Sequence, residues 1–116
     1  MAIEYKELIA WQKAIELVVD IYHESSSFPR DESFGLCSQL RRAAVSIPSN
    51  IAEGQGRGTK AEFKRFLLIA NGSRQEVETQ IIIAERLGYF KKGVCERLLD
   101  KTNEVGRIIR GLNKSI

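Results

Sequence analysis

Apolar residues recur along this chain at spacings of three and four almost without a break, and no segment alternates convincingly like a half-buried strand. From Tyr5 to Glu24 the pattern predicts a first helix with two adjoining stripes. Leu8, Trp11, Ile15, Val18 and Tyr22 form the main one, and Ala10, Ala14, Leu17 and Ile21 lie beside it. Together they cover more of the circumference than one buried face requires, so this helix has a further surface to bury. SSSFPRDES then interrupts the period as a loop, with Asp31 or Ser33 placed to cap a second helix over residues 32–54. Its core stripe is Cys37, Leu40, Ala44, Ile47 and Ile51, and Gly54, Gly56 and Gly58 are expected to end it.

A third helix, about 60–87, opens on Thr59-Lys60-Ala61-Glu62, a capping-box pattern. Phe63, Leu67, Ala70, Val77, Ile81 and Ala84 make its stripe, widened by Phe66, Ile69, Ile83 and Leu87. Arg74 falls where that stripe lacks a member, and Glu78, four residues on, is the nearest acid for it. After Gly88 a fourth helix, about 91–113, repeats the spacing with Cys95, Leu98, Thr102, Val105, Ile109 and Leu112. Four long helices joined by short loops predict one all-α domain over residues 1–116, an up-down-up-down antiparallel four-helix bundle.

Helix two holds the least ordinary stretch, QLRRAAVSIPSNIAEGQGRG. Pro48 deprives the Ala44 carbonyl of its donor, so a kink is expected, with Ser46, Ser49 and Asn50 near enough to bond freed backbone groups. Arg42, Ser46, Ser49 and Glu53 form a polar stripe, while Ala43, Val45 and Ala52 keep the flanks small. Small flanks let other backbones approach from more than one side. Residues 39–54 are therefore expected at an interface between copies, with Ala43, Val45, Pro48 and Ala52 of helix two and Leu17 and Ile21 of helix one as its candidate residues.

The glycine run fits no nucleotide-binding fingerprint. Thr59 separates Gly58 from Lys60, which breaks a P-loop, and occupies the third glycine position of a dinucleotide motif. Both motifs also need a preceding strand. What is left is a set of free N–H groups at the start of helix three, flanked by Arg57, Lys60 and Lys64, where a phosphate could sit. A helix end followed by a cap explains the same residues without a ligand.

Charge adds direction to this picture. The net charge is +3 over 116 residues, but residues 1–58 hold six basic and eight acidic side chains and residues 59–116 hold twelve and seven. Arg57, Lys60, Lys64 and Arg65 cluster, and Arg107, Arg110 and Lys114 follow the last acid, Glu104. Such clusters suit phosphates, although a solvated basic face would look the same. The cations are read as lacking interleaved aromatic residues, so base stacking is not expected. No apolar run approaches the ~18 residues of a membrane span, and the N-terminus lacks a secretory pattern, which predicts a cytoplasmic protein.

Catalytic and metal chemistry find little to work with. Cys37 and Cys95 are far apart and lie on apolar stripes, where a cysteine acts as a small hydrophobe. His23, the one histidine, lies near a helix end. No Cys-His, Ser-His-Asp or metal-spaced cluster is present, and Glu76, Glu78 and Glu85 lack the histidines of a di-iron bundle. The expectation is no enzyme, no metal and no cofactor.

The segments ELIAWQKAIELVVDIY, SFPRDESFGLCSQLRRAAVSIPSNIAEGQGRG, EFKRFLLIANGS and ETQIIIAERLGY resemble the 23S ribosomal RNA intervening-sequence protein family, over about residues 7 to 90. The block around SIPSNIAEG is its most specific part, and the last 25 residues match only in helical character. The resemblance implies a small bacterial four-helix bundle assembled as a ring-like homopentamer. It also points more distantly to the accessory variability proteins of diversity-generating retroelements, which bind nucleic acid and a reverse transcriptase. No shared motif carries those proteins' functional residues across, and nothing in the sequence argues for a ribosomal subunit component. Two readings follow: an oligomeric module that contacts RNA or DNA through phosphates, and an oligomeric scaffold for another protein with no nucleic-acid role.

Overall fold

The computed structural model describes residues 4–116, and these form four α-helices and two short 3-10 turns with no strand among them. The helices are α1 (Ile9–Ser25), α2 (Leu36–Gly56), α3 (Lys60–Arg86) and α4 (Lys92–Ser115). Each packs on two neighbours, α1 on α2 and α4, and α3 on α2 and α4, and the backbones of the diagonal pairs stay further apart. Short connections between long neighbouring helices make that square an antiparallel bundle, 46 Å along its longest axis. Leu17, Ile21, Leu40, Ile47, Ile51, Leu67, Val77, Ile81, Leu98 and Ile109 fill its centre.

The first helix begins later than its periodicity suggests. Tyr5–Glu7 is a 3-10 turn, Leu8 is extended, and α1 starts at Ile9. Gln12 turns its amide back to donate to the Lys6 carbonyl at 2.9 Å, and the Trp11 ring meets Tyr5 edge-on at 5.5 Å. The stripe that α1 seals is the second one: Ala10, Ala14, Leu17 and Ile21 are buried, whereas Leu8, Trp11 and Val18 of the main stripe are partly buried against the core and Tyr22 is exposed. Ala10 and Ala14 let neighbouring helices come close, and close approach decides which of two apolar stripes turns inward.

Neither Asp31 nor Ser33 caps α2. A 3-10 turn at Arg30–Glu32 intervenes, and the Glu32 carboxylate accepts from the Leu36 N–H at 3.0 Å. Its second oxygen accepts from the Tyr89 hydroxyl at 2.8 Å, and Phe28 packs on the Tyr89 and Phe90 rings beside it. One carboxylate thus joins the α1–α2 loop to the α3–α4 loop. The Leu36 N–H bond and then the Tyr89 bond hold Glu32 below its ordinary pKa, and Glu32 raises that of Tyr89.

A depressed folded-state pKa contributes stability that is present above the unfolded value and is lost as pH falls through the folded one. Thermal unfolding followed between pH 7 and pH 3 is therefore expected to show wild type above Glu32→Gln at neutral pH. The gap should close below the ordinary carboxylate value of 4.5. A gap that is constant with pH would remove Glu32 from the acid response.

Three glycines named as one terminator do three different things. Gly54 is buried inside α2, and a Cβ placed on it would lie 2.5 Å from the Phe66 Cβ of α3. Gly56 closes the helix in open space, and Gly58, with φ of 86°, makes the reversal. Thr59 then caps α3 by accepting from the Glu62 N–H at 3.2 Å, while the Glu62 side chain pairs with Arg65. Gly88, φ 80°, ends α3 in a Schellman arrangement: its N–H donates to the Glu85 carbonyl, and that of Tyr89 donates to the Ala84 carbonyl.

Around Pro48 the side-chain bonds fall to either side of the freed carbonyl. Ser46 donates to the Arg42 carbonyl at 3.0 Å and Asn50 to that of Ser46 at 2.8 Å. Between α1 and α4 the contact is ionic. Asp20 pairs with Arg97 and with Lys101, and Arg97 reaches Glu24 as well. Partial burial pushes the Asp20 carboxyl up, but its bonds to Lys101 and Arg97 together bring it below the ordinary range.

Candidate nucleic-acid interface

Chain reversal at Arg57–Thr59 and the antiparallel run of α4 bring the two basic clusters to the same end of the bundle. The Asn113 side chain of α4 donates to the Lys64 carbonyl of α3 at 3.2 Å, tying the two helices there. Arg107, Arg110 and Lys114 follow one another at spacings of three and four, so they form one exposed ridge on α4. Lys60 and Lys64 lie across from it in the first turns of α3. Among the described residues none of these five cations has an acid within ion-pair distance.

Arg57 and Arg65 are differently placed. Arg57 bonds Glu53 at 2.7 Å and Arg65 bonds Glu62 at 2.8 Å. Both guanidinium groups also stack on Phe66, at 4.9 Å and 4.7 Å from its ring centre. Contrary to the expected lack of interleaving, Phe66 directly follows Arg65 in the sequence; it lies nine positions after Arg57, and the fold sets its ring between the two arginines. Phe66 is itself buried, so it anchors the arginines rather than offering a free stacking face. Glu62 holds Arg65 above its ordinary pKa, and the bond from Arg65 lowers that of Glu62. The Glu62 carboxylate in the first turn of α3 already answers the helix's positive end, so the phosphate position expected there has a competitor.

Between α3 and α4 runs a cleft of about 200 Å³. Leu67, Leu68 and Ile109 form its apolar wall, and Arg110 and Lys114 its basic rim. Sequence reasoning found the cations but not the cleft, because pairing residues 64–71 with residues 109–114 requires the register of two helices.

The six interface candidates separate into two groups. Leu17, Ile21, Ala43 and Pro48 are buried within the single chain and have no surface to give another copy. Ala52 is half-buried and Val45 is exposed, and with Ser49 and Gly56 they mark an outward stripe of small side chains on α2. Further large apolar residues stand in solvent: Leu68 and Ile83 on α3, Leu87 just past its end, and Phe34 before α2, which is wholly exposed.

The other chemically active side chains are structural. Cys37 and Cys95 are buried, and burial pushes the Cys95 thiol up, away from thiolate chemistry. Arg74 is buried on α3, bonds Asn71 at 2.8 Å and Glu78 at 3.2 Å, and meets the anticipated acid. His23 is exposed in the last turn of α1. No described helix is long and apolar enough to cross a membrane. No group of three or more metal-ligating side chains gathers among the described residues.

Fold and site together define an all-α four-helix bundle with a cationic cleft at one end. The chain belongs to the 23S rRNA-intervening sequence protein family, whose model matches residues 6–111. It is similar in fold to a crystallised protein of unknown function from the S23 ribosomal protein family of Bacteroides thetaiotaomicron VPI-5482. The two are 22% identical with a TM-score of 0.84, over 91% of this chain and 99% of that one. The comparison with curated proteins yields no match.

Proposed function

We propose that this protein is a non-enzymatic, homo-oligomeric module that binds RNA or DNA through backbone phosphates at the α3/α4 end. The observation that carries the reading is the convergence of Lys60, Lys64, Arg107, Arg110 and Lys114, unpaired, on one end of the bundle. Unpaired cations cost nothing to release from acids, so a polyanion gains their full attraction, and repetition of the patch around an assembly multiplies it.

Filter binding at low ionic strength tests it. Retention of RNA or DNA that falls steeply as salt rises is expected, with a logarithmic slope of roughly 0.9 per phosphate neutralised on duplex DNA. Absence of retention, or retention indifferent to salt, would falsify the reading.

Assembly is supported by the large apolar side chains that one chain leaves wet away from the cleft: Val19, Tyr22, Val45, Ile83 and Leu87. Ala52→Arg places a bulky charge in the small-residue stripe of α2 and is expected to lower the mass seen by light scattering while leaving the helical circular dichroism intact. A wild-type monomer at micromolar concentration, or an unaltered assembly in the variant, would take α2 out of any interface. The same exposed apolar residues favour a second reading, a scaffold for a protein partner; recovery of one protein that survives nuclease treatment would support it.

A further inference from the structure

The α3/α4 cleft carries more information than its charge. Two asparagines line it, and each has one end fixed by a partner that leaves no choice of orientation. Arg74 has only donors, so the Asn71 atom it meets at 2.8 Å is the oxygen, and the Asn71 amide hydrogens are left over. The Lys64 carbonyl only accepts, so the Asn113 atom it meets at 3.2 Å is the nitrogen, and the Asn113 Oδ1 is left over. A set donor and a set acceptor thus belong to the two walls of one cleft. The same cleft is lined by the apolar side chains of Leu67, Leu68 and Ile109 and by the cations Arg110 and Lys114.

We propose that this cleft accepts a single unpaired nucleobase, with the flanking phosphates on the rim cations. The proposal rests on the nucleic-acid reading above and narrows it to single-stranded or base-extruded substrates. An aliphatic slot matches the flat apolar faces of a heterocycle, and an amide donor on one wall or an amide acceptor on the other can meet a polar group that a base exposes when it leaves a duplex. A volume of about 200 Å³ lies below the ~300–1,000 Å³ of pockets for larger ligands, and suits one ring system. A bare phosphate would need neither the apolar wall nor the amides.

The test compares a mixed-sequence single-stranded oligonucleotide with the blunt duplex of the same length, at one salt concentration. Wild type is expected to prefer the single strand by roughly five-fold or more. Leu68→Ser removes the wall without touching charge, and Leu68 is exposed enough for the fold to tolerate it, at 66%. The variant should lose the single-strand preference and keep duplex affinity and salt slope. A nucleoside 5′-monophosphate should displace the single strand at lower concentration than ribose 5-phosphate does. Equal affinity for the two strands' forms, with Leu68→Ser neutral and the two competitors equivalent, overturns the base site while leaving phosphate binding standing. Failure to bind either nucleic acid overturns both.

Discussion

Gly54→Val is expected to lower the stability of the bundle by about 3 kcal/mol, while Gly56→Ala, two residues away, raises it by roughly 0.5–1 kcal/mol. Both positions lie in the last turns of α2, and both lose glycine's excess backbone freedom when substituted. The difference is what surrounds them. A first side-chain carbon on Gly54 would stand 2.5 Å from the Phe66 Cβ and 3.3 Å from its ring, so α2 and α3 would have to separate where they pack most broadly. Separation would also disturb the ring on which Arg57 and Arg65 rest. On Gly56 the same carbon meets nothing within 4 Å. For a domain of this size, a loss of about 3 kcal/mol lowers the melting temperature by on the order of 10 °C. Thermal denaturation of the two variants decides it, and equal shifts would mean that α2 and α3 are not in contact through Gly54.

That contrast also measures what periodicity can and cannot say. Helix number, order and most core positions were legible because a 3.6-residue period needs no knowledge of neighbours. Arg74 and Glu78 were legible for the same reason, since four residues along one helix is a local distance. Gly54 reads as a helix terminator in the sequence because terminating and close-packing glycines look alike until the facing helix is known. The same limit applies to α1: its double stripe points Leu17 and Ile21 towards contacts between copies, whereas the alanines of their own stripe let neighbouring helices close on it and make it the core. Asp31 and Ser33 lost the cap of α2 to Glu32, which reaches over a 3-10 turn that no period announces. The basic residues were visible as two clusters. Their convergence was not, because it depends on where an antiparallel partner ends.

Arg74 gives a sharper test of the packing. It is a cation at a core position, 5% exposed, and α4 makes room for it with Gly106, where an added Cβ would lie 2.6 Å from the Arg74 Nε. Gly106→Ala alone is therefore expected to destabilise. Helix propensity favours alanine by about 1 kcal/mol, but the guanidinium must shift from Asn71 and Glu78 while it remains buried, and overpacking of this kind costs about 1–3 kcal/mol. Arg74→Ala removes the obstacle along with the stem's packing, so it too destabilises on its own. In that background the sign should reverse: Gly106→Ala then no longer meets the guanidinium, keeps its propensity advantage and stabilises by up to about 1 kcal/mol. The coupling between the two positions should amount to roughly 2 kcal/mol, within the span known for side chains in direct contact. Denaturant unfolding of the wild type, the two single variants and the double variant measures it. Strict additivity would mean that Arg74 does not occupy the space beside Gly106, and with it would go the fixed orientation of Asn71 on which the nucleobase cleft depends.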